Sequence, residues 1–344
     1  MKRYLGMNGL KGGTIMLIVL LHVAVNGKYE LSGFWYDGII TNLSVFVELF
    51  FILSAFGMCC GYYEKIKQGT ISLNDFYTRR YKKILPFFSL IVLLALVAEK
   101  FSIQGIKESF INLTLLFGFF PQSPTKIVGV GWSLGVIFGF YILFPFFVFL
   151  IWNKKRAWFF FGISYIMHFT CGNFFKANHQ YVKSSFFLWW FLYMLGGILF
   201  LYKDSIGAFF SNKKVLSIMP AFCLAVLEAY IAFFTKDAYW KGEVIYWVFV
   251  GVVIVVMSQK VWFLECKPAQ FVGKYCLEIY LAHMIFYRVI EKMGLVHRFA
   301  NEWVSLACAF VLTFLGTLAF AVVAHYCIDR CFQWMESRKT SLTE

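Results

Sequence analysis

Residues 10–26 read LKGGTIMLIVLLHVAVN. Lys11 stands at the foot of an oily run and His22 near its far end, with ten residues and no titratable group between them. An α-helix advances about 1.5 Å per residue, so two groups eleven positions apart share one face and lie about 16 Å apart along the axis. A membrane-crossing helix needs roughly 17–25 mostly apolar residues, and this segment with its flanks meets that need. An imidazole kept at such depth is expensive unless hydrated or partnered. The fold and the function both turn on what surrounds His22.

The chain has 344 residues, 60% of them hydrophobic and only 15% charged. Soluble domains carry roughly 25% charged residues, so the solvent expected here is a lipid bilayer. Further apolar runs follow the first along the whole chain, and residues 13–26 lack a small-residue cleavage site, so a signal peptide is not the reading. The net charge of +14 does not argue for nucleic acid. Its basic residues cluster in short runs between apolar segments, as in a positive-inside membrane protein. The nine cysteines show no zinc-like spacing and are expected as small buried hydrophobes.

Assigning the basic clusters to the cytoplasmic side gives an all-α bundle of ten helices over one domain, 1–344, with both termini cytoplasmic. The expected spans are 13–26, 38–62, 84–98, 132–152, 157–171, 185–202, 215–234, 243–259, 270–290 and 303–327. The short apolar stretch 109–120 is expected to be re-entrant or tucked against the bundle. A crossing there would put the run NKKR, Asn153–Arg156, on the wrong side.

Several polar groups in these spans need a reason. Lys11 either snorkels or holds an anion, and His22 either bonds a neighbouring helix or moves a proton near neutral pH. Thr41, Ser44 and Glu48 form a polar stripe, with Glu48 a structural partner or a relay group. Glu278, Tyr280 and His283 recur late in the chain, the last two on one helical face. His168 and His325 are expected near the interface, His179 and His297 in outer loops. The stretch FYTRRYKKILP, Phe76–Pro86, is read as a cytoplasmic loop holding Arg79, Arg80, Lys82 and Lys83. It is either a topology anchor or a phosphate-binding group, and arginine favours the latter through bidentate contacts.

These pieces, in this order, resemble the integral-membrane acyltransferase family 3. Lys11 and His22 match the basic residue and histidine of that family's first helix, with Lys in place of the commoner Arg. SVFVELFFILSAFGM, Ser44–Met58, is similar to its second-helix pattern through Glu48, Phe50, Phe51, Leu53, Ser54 and Phe56, with Ala55 for the usual Gly. Phe76–Pro86 resembles its basic motif. GWSLGVIFGFYILFP, Gly131–Pro145, resembles its Trp-Ser-Leu opening and Phe-Pro ending, and VGKYCLEIYLAHMIF, Val272–Phe286, its late Tyr-Leu-x-His segment. Ile137 departs from the pattern, because relatives often carry Glu there.

The resemblance implies transfer of an acyl group, acetyl first, from cytosolic acyl-CoA to a hydroxyl of a cell-surface polysaccharide or lipid-linked glycan. It implies no bound cofactor, the bilayer as surroundings, and a bacterial inner membrane as location. It implies His22 as general base or acyl carrier with Glu48 as a second catalytic group. Lys11, Arg79, Arg80, Lys82 and Lys83 would hold the donor, and Trp132, Ser133, Tyr141, Tyr280 and His283 would line the substrate site. The rival readings are a flippase for a lipid-linked sugar, which needs a polar pathway or broken helices, and a non-catalytic relative, suggested by Ile137.

Overall fold

The opening segment is a single helix, α1, Leu5–Gly27, which begins well before the 13–26 expected from apolarity. The extra turns are stabilised by neighbours distant in sequence. Gly9 and Gly12 bring the α1 backbone against that of two short helices, α11 (Trp262–Glu265) and α12 (Lys267–Lys274). The computed structural model describes residues 4–119, 128–178, 182–210, 213–234 and 238–341. Among these the chain is helical throughout, with turns between helices and no strand.

The span expected at 38–62 is a composite. A π-helical turn (Phe34–Ile39) and a 3-10 turn (Ile40–Val45) lead into α2 (Phe46–Met58), followed by a second π-helical turn (Cys59–Tyr63) and α3 (Glu64–Lys67). Thr41 and Ser44 therefore fall in the 3-10 turn and do not continue the α-helical stripe of Glu48. The basic stretch is not a loop. It forms the first turns of α4, Leu73–Ala98, which starts well ahead of the expected 84. Ser72 caps this helix by accepting from the Asp75 amide at 3.0 Å, satisfying one of the unpaired N–H groups of the first turn.

The stretch expected to be tucked is α5 (Ile103–Thr114) and a 3-10 turn, Leu116–Phe119. Glu99 before it and Val128 after it border the same cavity, so the chain leaves and re-enters at one end of the bundle. α6 (Trp132–Leu150), α7 (Lys154–Ala177), α8 (Phe186–Phe210), α9 (Lys214–Phe234) and α10 (Ala238–Ser258) follow near the expected bounds. The span expected at 270–290 is broken at Tyr275 into α12 and α13 (Cys276–Lys292). α12 is held across the start of α1 by Gln270, whose side-chain amide donates to the carbonyls of Leu5 and Leu264, each at 2.7 Å. The last helix, α14, runs Glu302–Ser341.

Among the described residues six helical segments are long and apolar enough to cross a bilayer: Leu5–Gly27, Phe34–Lys67, Leu73–Ala98, Gly129–Leu150, Phe186–Phe210 and Glu302–Met335. Among the described residues the spans expected at 215–234 and 243–259 fall on shorter apolar segments, Lys214–Leu227 and Gly242–Ser258, and those at 157–171 and 270–290 fall on helices outside the six. The centre of the bundle is aromatic. Phe140 of α6 stacks on Tyr193 of α8 at 4.1 Å, and Phe51 of α2 lies 5.4 Å from the same ring. Offset stacks and edge contacts of this kind add about 0.5–1.5 kcal/mol each beyond burial. The cysteines are all free; Cys59 is buried as expected, whereas Cys223 and Cys327 face outward.

A Cβ at Gly9 would collide with the Leu264 carbonyl, whereas one at Gly13 would meet open space. Overpacking costs typically 1–3 kcal/mol, so Gly9→Ala is expected to lower thermal stability in detergent by about that amount and Gly13→Ala to leave it unchanged or slightly raised. Fluorescence-detected size exclusion after heating checks both.

Candidate active site

Four helices, α1, α4, α6 and α13, border both of two cavities stacked along one axis, and α2 adds Val47, Phe50 and Ser54 to the walls of the first. The first holds Lys11, Lys83, Ile137, Tyr141, Cys276 and Tyr280 among its walls and contains about 670 Å³ of empty space including its mouth. The second, a cleft of about 1710 Å³, is bordered by His22, Asn26, Glu99, Trp132, Arg288 and Lys292 together with apolar side chains of α4 and α13. Along α1 the lining passes from Lys11 to His22, along α4 from Lys83 to Glu99, and along α13 from Cys276 to Lys292. Along α6 the order reverses, from Tyr141 to Trp132. Three walls thus run parallel and the fourth antiparallel. The Lys11–His22 axis read from helical spacing is the axis on which the two cavities stack.

A buried hydrogen-bonded layer separates the cavities. The Ser133 hydroxyl donates to the Tyr280 oxygen at 2.9 Å, and the Tyr280 hydroxyl donates to the Val130 carbonyl at 2.8 Å. Beside this layer the His22 and His283 rings lie 5.0 Å apart between centroids. His283 is fully buried and its Nδ1 is 2.7 Å from the Tyr280 carbonyl. A carbonyl can only accept, so Nδ1 carries the proton and Nε2 keeps a lone pair. That Nε2 has no hydrogen-bond partner.

The first cavity is electropositive. Lys11 and Lys83 stand in its walls, and Arg80 lies 5.8 Å from the ring of Tyr141, which also lines it. None of the described residues lining it is a carboxylate, so their fields add toward an anion. The four cations of the basic run do not act as one group. Arg80 turns inward, donating to the Tyr62 hydroxyl at 2.6 Å and lying 4.7 Å over that ring, with Tyr141 at 5.8 Å. Its Nε is buried without a partner. Lys83 borders the cavity, Lys82 lies 5.6 Å from the Phe332 ring on α14, and Arg79 is exposed. Ile137 puts an alkyl group into the cavity where relatives often carry Glu.

Glu48 is buried on α2 and is not among the residues lining either cavity. Its Oε2 is buried without a hydrogen-bond partner. Sequence reading missed a neighbouring cluster. His168, expected at the interface, is half-buried with Nδ1 2.8 Å from the Leu188 carbonyl and Nε2 3.3 Å from Glu243, whose other oxygen accepts from Tyr165 at 2.6 Å. A lone carboxylate inside the apolar run 243–259 was the signal available for it. His325 pairs with Glu278 at 3.1 Å, and His297 with Glu302 at 3.2 Å; His179 lies outside the described residues.

Comparison with known proteins bears on this arrangement. The model of an acyltransferase domain, that of acyltransferase family 3, matches residues 4–322. The chain belongs to acyltransferase family 3. The matched range takes in every residue of both cavities. This acyltransferase is also similar to a protein of Haemophilus influenzae described as uncharacterized, 28% identical over a match covering 54% of this chain and 84% of the relative. No solved structure matches.

Tyr280→Phe removes the bridge and leaves Ser133 and the Val130 carbonyl short of a partner. Buried groups left unsatisfied cost about 1–3 kcal/mol, and interhelical hydrogen bonds in membranes average about 0.6. A stability loss of about 1–2 kcal/mol is expected in the acyltransferase, measured as a lowered midpoint in detergent-titrated unfolding.

Proposed function

We infer that this acyltransferase takes an acyl group, acetyl first, from acyl-CoA on the cytosolic side and delivers it to a hydroxyl of a cell-surface polysaccharide or its lipid-linked precursor. The observation that carries this reading is the stacking of a cationic cavity on a cleft that holds His22. A coenzyme A thioester has anionic phosphates at one end and its reactive carbonyl at the other, joined by a long slender arm. The phosphates suit the end with Lys11, Lys83 and Arg80, which is the cytosolic end by the positive-inside rule. The arm then follows the cavity axis toward His22, and the acceptor approaches through the opposite cleft. The setting that fits is the cytoplasmic membrane of a bacterium.

In the overall reaction the acceptor oxygen attacks the thioester carbonyl, the C–S bond breaks, and the hydroxyl proton ends on the coenzyme A thiol. His22 serves this either as general base or by carrying the acyl group on its ring. Trp132, Ser133, Tyr141 and Tyr280 form the walls between donor and acceptor. Glu48 acts from outside the cavities, through α2, and any carboxylate role that Ile137 lacks falls to it.

Mass spectrometry of surface polysaccharide from cells with and without the gene is expected to show loss of one acyl class. His22→Ala, inserted at normal levels, is expected to match the gene deletion; full acylation in that variant would sink the reading. Arg80→Gln is expected to raise KM for acyl-CoA by about tenfold or more, the worth of one charged hydrogen bond, and Arg79→Gln to change it little. Steady-state kinetics in nanodiscs separates the two.

A further inference from the structure

We propose that His283 is the positioning partner of His22, accepting a hydrogen bond from the His22 ring so that the other His22 nitrogen faces the acceptor hydroxyl as a lone pair. This rests on the reading of His22 as the reacting imidazole. Three observations carry it. The two rings are in contact, with centroids 5.0 Å apart. The tautomer of His283 is fixed by the bond from Nδ1 to the Tyr280 carbonyl at 2.7 Å, which leaves Nε2 as an acceptor. That Nε2 is fully buried and unpartnered, an arrangement that costs stability and calls for a donor.

His22 is the donor at hand. It borders the acceptor cleft, whereas His283 has no exposed surface and acts only through its neighbour. The arrangement follows the logic of nucleophile, base and orienting group, with an imidazole in the orienting place. As the acceptor oxygen bonds to the acyl carbon, its proton passes to the free nitrogen of His22, and the imidazolium is held by His283 Nε2. The C–S bond breaks, and the proton then passes from His22 to the leaving thiolate. His283 gains no proton at any step. The same bridge ties this pair to the layer between the cavities, because Tyr280 offers its carbonyl to His283 and its hydroxyl to Val130. The charged groups sharing the cleft with His22 are Glu99 from α4 and Arg288 and Lys292 from α13, with Arg288 paired to Glu291 at 3.2 Å. On the α14 side the titratable groups are Glu278 and His325, which pair with each other.

His283→Leu removes the acceptor, and His283→Gln restores one. The first is expected to lower kcat about 100-fold, the lower end of what a positioned acid–base group contributes, with KM for acyl-CoA within twofold of the parent. It is also expected to displace the limb of the pH–rate profile that His22 sets. The second is expected to recover most of the rate and the parental profile. Unchanged kcat in His283→Leu overturns the proposal. So does a loss with an unmoved profile that Gln does not repair, which marks a packing role. Histidine-labelled protein in nanodiscs gives a readout independent of turnover. The ¹⁵N resonances of the His22 ring, identified by their absence in His22→Ala, are expected to shift in His283→Leu and to return toward their parental positions in His283→Gln; resonances unshifted in His283→Leu overturn the proposal. A parent protein that transfers no acyl group while its His22 resonances respond to His283 defeats the functional reading and leaves the pairing standing.

Discussion

The contact between the α1 backbone and α12 is the constraint on which the rest depends. Gly12 and Gly273 let two helices approach closer than any pair of side chains would permit. Because α12 turns into α13 at Tyr275, that contact sets the height at which α13 starts beside α1. Helix geometry does the rest. From a fixed start, Tyr280 and His283 follow at 1.5 Å per residue and arrive at the level of His22. Slack at the crossing would move both residues relative to the imidazole on α1. Small residues suit this task in a bilayer, where helix association relies on close van der Waals approach more than on hydrophobic burial.

The basic run shows how one local pattern meets two demands. A helix starting at Leu73 turns its side chains through about 100° per residue, so consecutive cations face different ways. Arg80 enters the aromatic environment of Tyr62 and Tyr141, where a weakly hydrated, planar cation stacks at modest desolvation cost. Arg79 and Lys82 lie on outward positions, where positive charge orients the helix in the membrane. Topology anchor and anion site were alternatives in the sequence; in the folded chain the run divides between an inward Arg80 and an outward Arg79 and Lys82 on the same helix.

What was legible in the sequence follows from period and composition. The Lys11–His22 spacing gave the axis of the site because one helix carries both. The balance of basic clusters led to reading 109–120 as re-entrant or tucked, and the described part of that stretch is the end of one short helix and a 3-10 turn. What escaped depended on partners far along the chain. The break at Tyr275 reflects Asn8 and Leu5 more than its own neighbours. His168 reads as interfacial until Glu243 closes on it from 75 positions away. Glu48, a structural partner or a relay group by its sequence, is buried on α2 and lines neither cavity.

The layer formed by Ser133, Tyr280 and Val130 has an electrical consequence. Any water filling both cavities would bring the membrane voltage to bear on this layer, a septum between them, rather than on the full hydrocarbon thickness. A charge crossing the whole potential exchanges about 2.3 kcal/mol per 100 mV. A protein built this way must keep the septum's hydrogen bonds closed at rest, or it becomes a leak for protons. A proton moving between the two faces during turnover then senses the cell's membrane potential.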